Sequence, residues 1–337
     1  MSTNSTIEWT DSTWSPVTGC DRVSDGCDHC YALTLAKRLK AMGSAKYQKD
    51  GDPRTSGPGF GVTMHPNALQ LPLKWKKPRR IFVNSMSDLF HKDVSDSFIA
   101  QVFAVMAQAP QHQFQILTKR HARMRSLIGG LLDGGQKLIE AAPDEATAQV
   151  LYDAPWPLPN VLLGVSVENQ TWADIRIPAL LETAAAVRFL SCEPLLGPID
   201  LRNLRARNGV LIDCLGGDVK TPDGKSVYTG TPSIIDWVIV GGESGPGARP
   251  MHPHWVRDLR DQCATAHAAY FFKQWGNWAP TGWRAIGNLD NKTMNVGPAL
   301  DEMGHREQIG MVGKKLAGRL LDGRTWDEMP DVRIGAR

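Results

Sequence analysis

Short, uniformly apolar runs alternate with longer amphipathic ones along most of this chain. Ile81-Phe82-Val83, Phe114–Leu117, Val161–Val167, Val187–Leu190, Trp237–Val240 and Tyr270-Phe271-Phe272 are too uniform to be strands with one wet face. Runs of that kind suit a mostly parallel sheet covered on both sides. Helical spacing fills the intervals. Tyr31–Met42 sets Ala32, Leu35, Ala36, Leu39 and Met42 against Lys37, Arg38 and Lys40. Ser95–Ala109 puts Phe98, Ile99, Val102, Phe103 and Met106 on one stripe, and a helix follows Thr118-Lys119-Arg120 to about Ile128. Trp172–Thr183 reads as amphipathic, and Pro253 opens a helix bearing Val256, Leu259 and Cys263 on one face. Six or seven such repeats with right-handed crossovers predict an α/β fold, a full or partial βα barrel. An open doubly wound sheet is the other arrangement they allow. No G-x-G-x-x-G follows a strand, so dinucleotide binding by that route has no support.

The rhythm breaks in four places. Lys46–Gly61 is a polar loop with Gly51, Pro53, Gly57, Pro58 and Gly59. Residues from about 129 to 160 and from about 200 to 233 read as surface insertions. The first holds a short acidic helical piece, and Pro222-Asp223-Gly224 marks a hairpin turn in the second. From Gly276 onward the chain is loop-rich, with one helical stretch around Val312–Leu321. The expected organisation is a barrel over residues 1–275 and a C-terminal extension over 276–337 packed on it.

In βα folds, ligands gather where parallel strands end in the C-terminal direction. Those ends carry Cys20, Ser85, Ser87 and Asp88, Lys119 and Arg120, Ser166 and Glu168, Cys192 and Glu193, Gly241, Gly242 and Glu243, and Lys273. A carboxylate there has a plainer use, capping the next helix. Across the whole ring, polar ends on apolar strands point to a pocket.

One stretch carries distinctive chemistry. Thr18–Ala32 places Cys20, Cys27 and Cys30, three of the six cysteines, at C-x6-C-x2-C spacing. Gly19, Asp21, Asp25, Gly26 and Asp28 make it a turning polar loop rather than a core segment. A structural zinc normally wants four protein ligands, and only His29 or Asp28, at a strained adjacency, could complete them. A disulfide framework fits poorly, with few cysteines for the length and no secretory signal at Met1–Thr6. A [4Fe–4S] cluster on three cysteines would leave one iron open for a ligand or substrate. Cys192 at a strand end is a hydrogen donor, a further iron ligand or, most simply, a buried side chain. Cys214 and Cys263 are assigned to packing.

Three cysteines, the last pair C-x2-C and followed by an aromatic, resemble the cluster loop of radical S-adenosylmethionine enzymes. Three extra residues separate Cys20 from Cys27 relative to that superfamily's usual C-x3-C-x2-C. Over about residues 7–330 the chain resembles a family of phage- and prophage-encoded radical-SAM-like proteins of poorly defined function. The residues that carry this are Trp14–Cys20, Phe82–Phe90, Gly241–Gly245 and Phe272–Gly276.

The resemblance implies a partial barrel and a cluster whose open iron holds the amino and carboxylate groups of S-adenosylmethionine. An electron passed to the sulfonium breaks its bond to the ribose carbon, and the 5′-deoxyadenosyl radical takes hydrogen from the substrate. By position, Ser85, Ser87 or Asp88 would meet the methionine amino group and Ser166 or Glu168 the ribose hydroxyls. Gly241 and Gly242 would let backbone approach the adenine. Glu193, Glu243, Lys119 and Lys273 are left for substrate. The lysines suit a phosphate or carboxylate, and Glu243 either orients substrate or pairs with Arg249. An electron donor such as flavodoxin or ferredoxin is implied as a partner.

Composition changes this picture only modestly. Apolar residues at 42% and charged at 22% are ordinary for a globular chain. No apolar run approaches the roughly 20 residues of a membrane span, so a reducing cytoplasm is the expected location. The net charge of +3 is uninformative, but its distribution is not. Lys74, Lys76, Lys77, Arg79 and Arg80 surround Trp75; Lys119, Arg120, Arg123 and Arg125 form a second group; Arg202, Arg205 and Arg207 form a third. Each alone is a solvated basic face, and together they tilt towards a phosphate-bearing partner. Trp275 and Trp278 either fill core or stack on a base.

The expected function is a radical S-adenosylmethionine enzyme acting on a nucleotide or nucleic-acid base, in phage-type DNA modification or repair. Its rival is a non-catalytic nucleic-acid-binding module stabilised by zinc or a cluster. A metal-free barrel hydrolase leaves the cysteine loop unexplained.

Overall fold

The computed structural model describes residues 5–130, 132–206, 209–229, 233–281 and 293–331. Seven strands form the main sheet: β1 (Ser12–Trp14), β2 (Arg80–Val83), β3 (Gln113–Thr118), β4 (Val161–Ser166), β5 (Val187–Cys192), β6 (Trp237–Gly241) and β7 (Ala269–Gln274). They stand in chain order from β1 to β7. The pairs β1/β2, β2/β3, β3/β4 and β6/β7 are parallel, with Ser12 beside Ile81, Ile81 beside Phe114 and Phe114 beside Val161. This is an α/β protein with a seven-stranded parallel sheet, and the expected six to seven strands are present. Every residue of β4, β5 and β6 is buried, which is why these strands read as mostly apolar; the charged exception within β5, Arg188, is buried with its guanidinium on the Leu180 and Thr183 carbonyls.

The described residues fall into two compact units, one within 5–165 and 178–189, the other within 166–177 and 190–330. In the first, helix α1 (Tyr31–Ala41) follows the cysteine loop, and α2 (Asp96–Ala107) is capped by Ser95, whose hydroxyl accepts from the Phe98 amide at 3.2 Å. α3 (His121–Ile128) follows β3. The segment around 129–160 holds two short helices rather than one acidic piece, α4 (Gln136–Glu140) and α5 (Glu145–Asp153). Their Leu138 and Leu151 are buried, and Trp156 stacks on Phe103 of α2 with ring centres 6.2 Å apart. The stripe expected on α1 is only partly used. Ala32 and Ala36 are buried with Leu39 partly so, packed with Tyr47, Phe60 and Met86, whereas Leu35 and Met42 face solvent.

In the second unit, Gln170–Leu181 forms α6 and Pro253–Ala266 forms α7. Val256, Leu259 and Cys263 of α7 are buried, as the spacing predicts. α6 is not the simple amphipathic helix expected: Ile175 is 41% exposed while its neighbour Arg176 is fully buried. The segment after residue 200 makes a small antiparallel sheet in which Asp218–Lys220 and Ser226–Tyr228 flank the anticipated Pro222-Asp223-Gly224 turn. The tail is more ordered than its loop-rich sequence suggests. Trp278–Pro280, Thr293–Ala299 and Arg306–Met311 form an antiparallel sheet, and the helix near Val312–Leu321 is reduced to Lys314–Ala317. Thr293–Ala299 escaped the hydrophobic pattern because it carries Gly297 and Pro298 and is largely exposed, and the other two because they are short or mix charged with apolar residues. Among the described residues, no helix is long and apolar enough to cross a membrane.

Candidate functional site

The cysteine loop is held from several directions. After β1 the chain makes a two-residue ladder, Val17–Thr18 against Thr63–Met64, so Cys20 lies beyond this ladder and not at the end of a sheet strand. Gly19 then runs alongside Ser87 just past β2, its amide donating to the Met86 carbonyl at 3.0 Å. Gly19 has φ +89° and lies so close to the Gly61 backbone that a Cβ would collide with it. Cys27 closes a 3₁₀ turn over Asp25–Cys27, and Cys30 is the residue that caps α1. The Cys27 amide donates to the Ser24 carbonyl at 2.9 Å and the Cys30 amide to the Cys27 carbonyl at 3.3 Å. Cys20 and Cys30 both pack on the cluster of Ala32, Ala36, Tyr47, Phe60 and Met86. Burial pushes the Cys20 thiol up to about 12, with the Asp88 charge adding to it, and burial also raises the Cys30 thiol.

A polar shell fixes that loop. Asp21 accepts from Thr55 Oγ1 at 2.7 Å and Ser56 Oγ at 2.9 Å on one oxygen, and lies 3.0 Å from His91 Nε2 on the other. The Asp93 amide donates to His91 Nδ1 at 3.2 Å, so Nε2 carries the proton and donates to Asp21. Burial, more than anything else, lowers the His91 pKa and keeps the ring neutral. This shell gave little sequence signal, since its members are scattered from Asp21 to Asp93.

The expected site residues sort into distinct roles. Ser85 is half-buried and its carbonyl accepts from Tyr31 Oη at 2.5 Å; Ser87 Oγ donates to the Val17 carbonyl at 2.8 Å. Asp88 caps no helix. It ties two strand ends together, accepting from Thr118 Oγ1 at 2.7 Å, the Lys119 amide at 3.0 Å and the Phe90 amide at 3.0 Å. Lys119 stands close enough to Cys30 for its charge to oppose the rise of that thiol.

In the second unit Ser166 is buried, and Glu168 pairs with Arg176 at 2.9 Å with both side chains 0% exposed. α6 takes its cap from Asn169, which accepts from the Trp172 amide at 3.2 Å. Glu193 and Lys273 meet at 2.9 Å, which brings two of the four proposed substrate residues together. Glu243 makes the simpler of its two expected contacts, receiving Arg249 through Nη2 at 2.7 Å, Nε at 3.1 Å and the backbone amide at 2.8 Å. Gly241 leaves room for the Glu193 carboxylate, 2.7 Å from where a Cβ would stand, and Gly242 lies against the Trp275 carbonyl. Trp275 and Trp278 are tied into the fold, their indole N–H groups donating to the carbonyls of Leu320 at 2.9 Å and Ala248 at 2.7 Å. Cys192, Cys214 and Cys263 are buried.

The pattern missed Asn84. It sits at the C-terminal end of β2 with φ +118°, only 3% exposed, and neither its amide nitrogen nor its oxygen has a partner. A buried, unsatisfied carboxamide on a strained backbone costs stability.

Much of the basic charge is spent inside the chain. Arg80 pairs with Asp11 at 2.8 Å, Arg125 with Glu182 at 2.5 Å and Arg202 with Asp213 at 3.0 Å, while Arg123 binds Asp96 and the His91 and Val94 carbonyls. Lys74, Lys76 and Lys77 remain exposed beside Trp75, with the Arg79 guanidinium 5.2 Å from its ring centre. Arg207 lies outside the described residues.

Fold and loop define an α/β protein with a three-cysteine loop at the C-terminal side of β2. The chain belongs to the family described as "Protein of unknown function (DUF5131)", which it matches over residues 4–330. No curated protein and no solved structure matches it.

Among the described residues, no three His, Cys, Asp or Glu side chains converge as the ligands of one ion would. One zinc draws its thiolates to about 2.3 Å from a single point. A cluster is less demanding, because each thiolate grips a different iron. Its fit here rests on the donor set and on the buried, unpartnered Nε of Arg120, whose guanidinium touches the Asp21 carbonyl of the loop.

Proposed function

We propose that this protein is a radical S-adenosylmethionine enzyme whose Cys20, Cys27 and Cys30 hold a [4Fe–4S] cluster. The observation that carries the reading is the seating of Cys20 and Cys30 on one apolar cluster, with Cys27 one turn from Cys30, beside the end of β2. When bound, the cluster supplies an electron to S-adenosylmethionine, and the resulting radical removes hydrogen from the substrate. The chain's own residues do the positioning. His91, Thr55 and Ser56 fix Asp21 and through it the loop. Asp88 locks the ends of β2 and β3 in register beneath it, and Asn84 offers a donor and an acceptor to a bound polar group. Lys119, Glu193, Lys273 and Glu243 are the residues proposed to meet substrate. Curvature of the parallel sheet into a partial barrel, a phage-type role and an electron donor such as flavodoxin or ferredoxin belong to the same reading. The exposed lysines around Trp75 favour a nucleotide or nucleic-acid substrate.

The test is the iron and acid-labile sulfide content of protein purified without oxygen, wild type beside Cys27→Ala, with EPR of the reduced sample before and after S-adenosylmethionine. The expected outcome is about four irons and four sulfides per chain, lost in the variant, and a signal altered by S-adenosylmethionine. One zinc without sulfide overturns the reading and favours a zinc-stabilised nucleic-acid-binding module, with affinity that falls steeply as salt rises.

A further inference from the structure

Arg120 is a cation set on the cysteine loop from a neighbouring strand end. Its backbone amide donates to Thr118 Oγ1 at 2.8 Å, and that hydroxyl in turn donates to Asp88. This anchors the residue at the end of β3. Its Nη2 reaches the Asp21 carbonyl at 3.4 Å. The Cys20 sulfur also lies 3.4 Å from the Asp21 carbonyl, so guanidinium, sulfur and carbonyl form one small polar contact. Arg120 Nε is buried and has no partner. A buried N–H left unpaired destabilises the fold, and the cost is recovered when an acceptor arrives.

The groups around Cys20 differ in what they offer an incoming anion. Asp88 is already occupied by Thr118 and two backbone amides, and its charge repels a thiolate. His91 spends its proton on Asp21. Of these three, Arg120 combines a fixed positive charge, a carbonyl contact shared with the sulfur and an unused donor.

From this geometry we infer that Arg120 is a positioning residue that donates to the sulfur of Cys20 in its metal-bound, thiolate form and so sets the reduction potential of the bound cluster. The inference rests on the cluster reading above. A donor to a ligating sulfur stabilises the more negative, reduced state, so its loss moves the potential downward. Arginine suits the place because its fork offers separate donors to the thiolate and to the Asp21 carbonyl, which an ammonium on a flexible stem does less well.

The test compares reconstituted wild type with Arg120→Gln and Arg120→Lys. It reads iron and sulfide content, the potential from a mediated redox titration followed by EPR, and the urea midpoint of the unloaded chains. The expected result is a more negative potential in Arg120→Gln, an intermediate value in Arg120→Lys, and similar unfolding midpoints for all three. Iron lost from Arg120→Gln and kept by Arg120→Lys also supports the assignment, since charge at that position then holds the ligand. Equal potentials at equal iron content overturn it and leave the cluster reading intact. Iron lost equally from both variants, with lowered urea midpoints, overturns it too and makes Arg120 a fold-stabilising residue. Wild-type protein that takes up no iron and sulfide refutes the cluster reading itself.

Discussion

Replacing Arg176 by methionine gives the sharpest test of how the strand-end polar residues are used. Glu168 and Arg176 are both 0% exposed and 2.9 Å apart. Arg176 also donates to the Ser166 carbonyl at 2.8 Å and lies with its guanidinium carbon 4.0 Å from the Trp172 ring centre. Methionine keeps the apolar stem and removes the charge, so Glu168 is left as a buried carboxylate without the Arg176 guanidinium. Breaking a buried pair from one side costs about 3–5 kcal/mol. At about 2–4 °C per kcal/mol for a unit of 150–250 residues, the midpoint should fall by about 6–20 °C. The double variant Glu168→Gln/Arg176→Met has no charge to strand. It should recover most of the loss, leaving about 1–2 kcal/mol for the lost hydrogen bond and stacking. Urea unfolding followed by tryptophan fluorescence and far-UV circular dichroism measures both. A single variant within about 1 kcal/mol of wild type, or a double variant no better than the single, refutes the account of Glu168 as a partner-dependent buried charge.

Other expectations follow from particular contacts. Asn84→Gly removes both a positive φ and an unsatisfied amide, so the unloaded chain should be unchanged or up to about 1 kcal/mol more stable by urea midpoint, while S-adenosylmethionine binding to the reconstituted protein weakens. A clear loss of stability there assigns Asn84 to structure alone. Gly242→Ala drives a Cβ into the Trp275 carbonyl and should sharply lower soluble yield and thermal midpoint. Gly241→Ala meets only the movable end of Glu193, at 2.7 Å, and should be milder in the same assays. Asp11 is held below the usual carboxylate range chiefly by the hydrogen bond from Arg80. A depressed carboxylate stabilises above its unfolded value, about 3.9, and that contribution is lost as pH falls through the lower folded value. The urea-midpoint gap between wild type and Asp11→Asn should therefore be present at pH 7 and close at acid pH. Because this pair is largely exposed, the gap should be small and shrink in high salt.

The sheet was legible because a strand buried on both faces is mostly apolar, as Val161–Val165 and Trp237–Gly241 are. The cysteine loop was legible for a similar local reason, since three thiols within one turning segment need no partner elsewhere in the chain to be noticed. Helix α7 was fixed by its own spacing of Val256, Leu259 and Cys263. The tail sheet was not readable, because exposed strands such as Thr293–Ala299 owe their existence to a neighbour rather than to an alternating pattern. What each polar strand end does was equally beyond the linear chain. Asp88 could have capped a helix, yet its acceptors went to Thr118 and Lys119, 30 and 31 positions away. Arg176 reads as a solvent-facing helical residue until Glu168 appears buried beside it. Local pattern determines which segments must be buried. Only the folded chain assigns each buried donor to an acceptor, because a hydrogen bond or ion pair depends on distance in space and not on separation along the backbone.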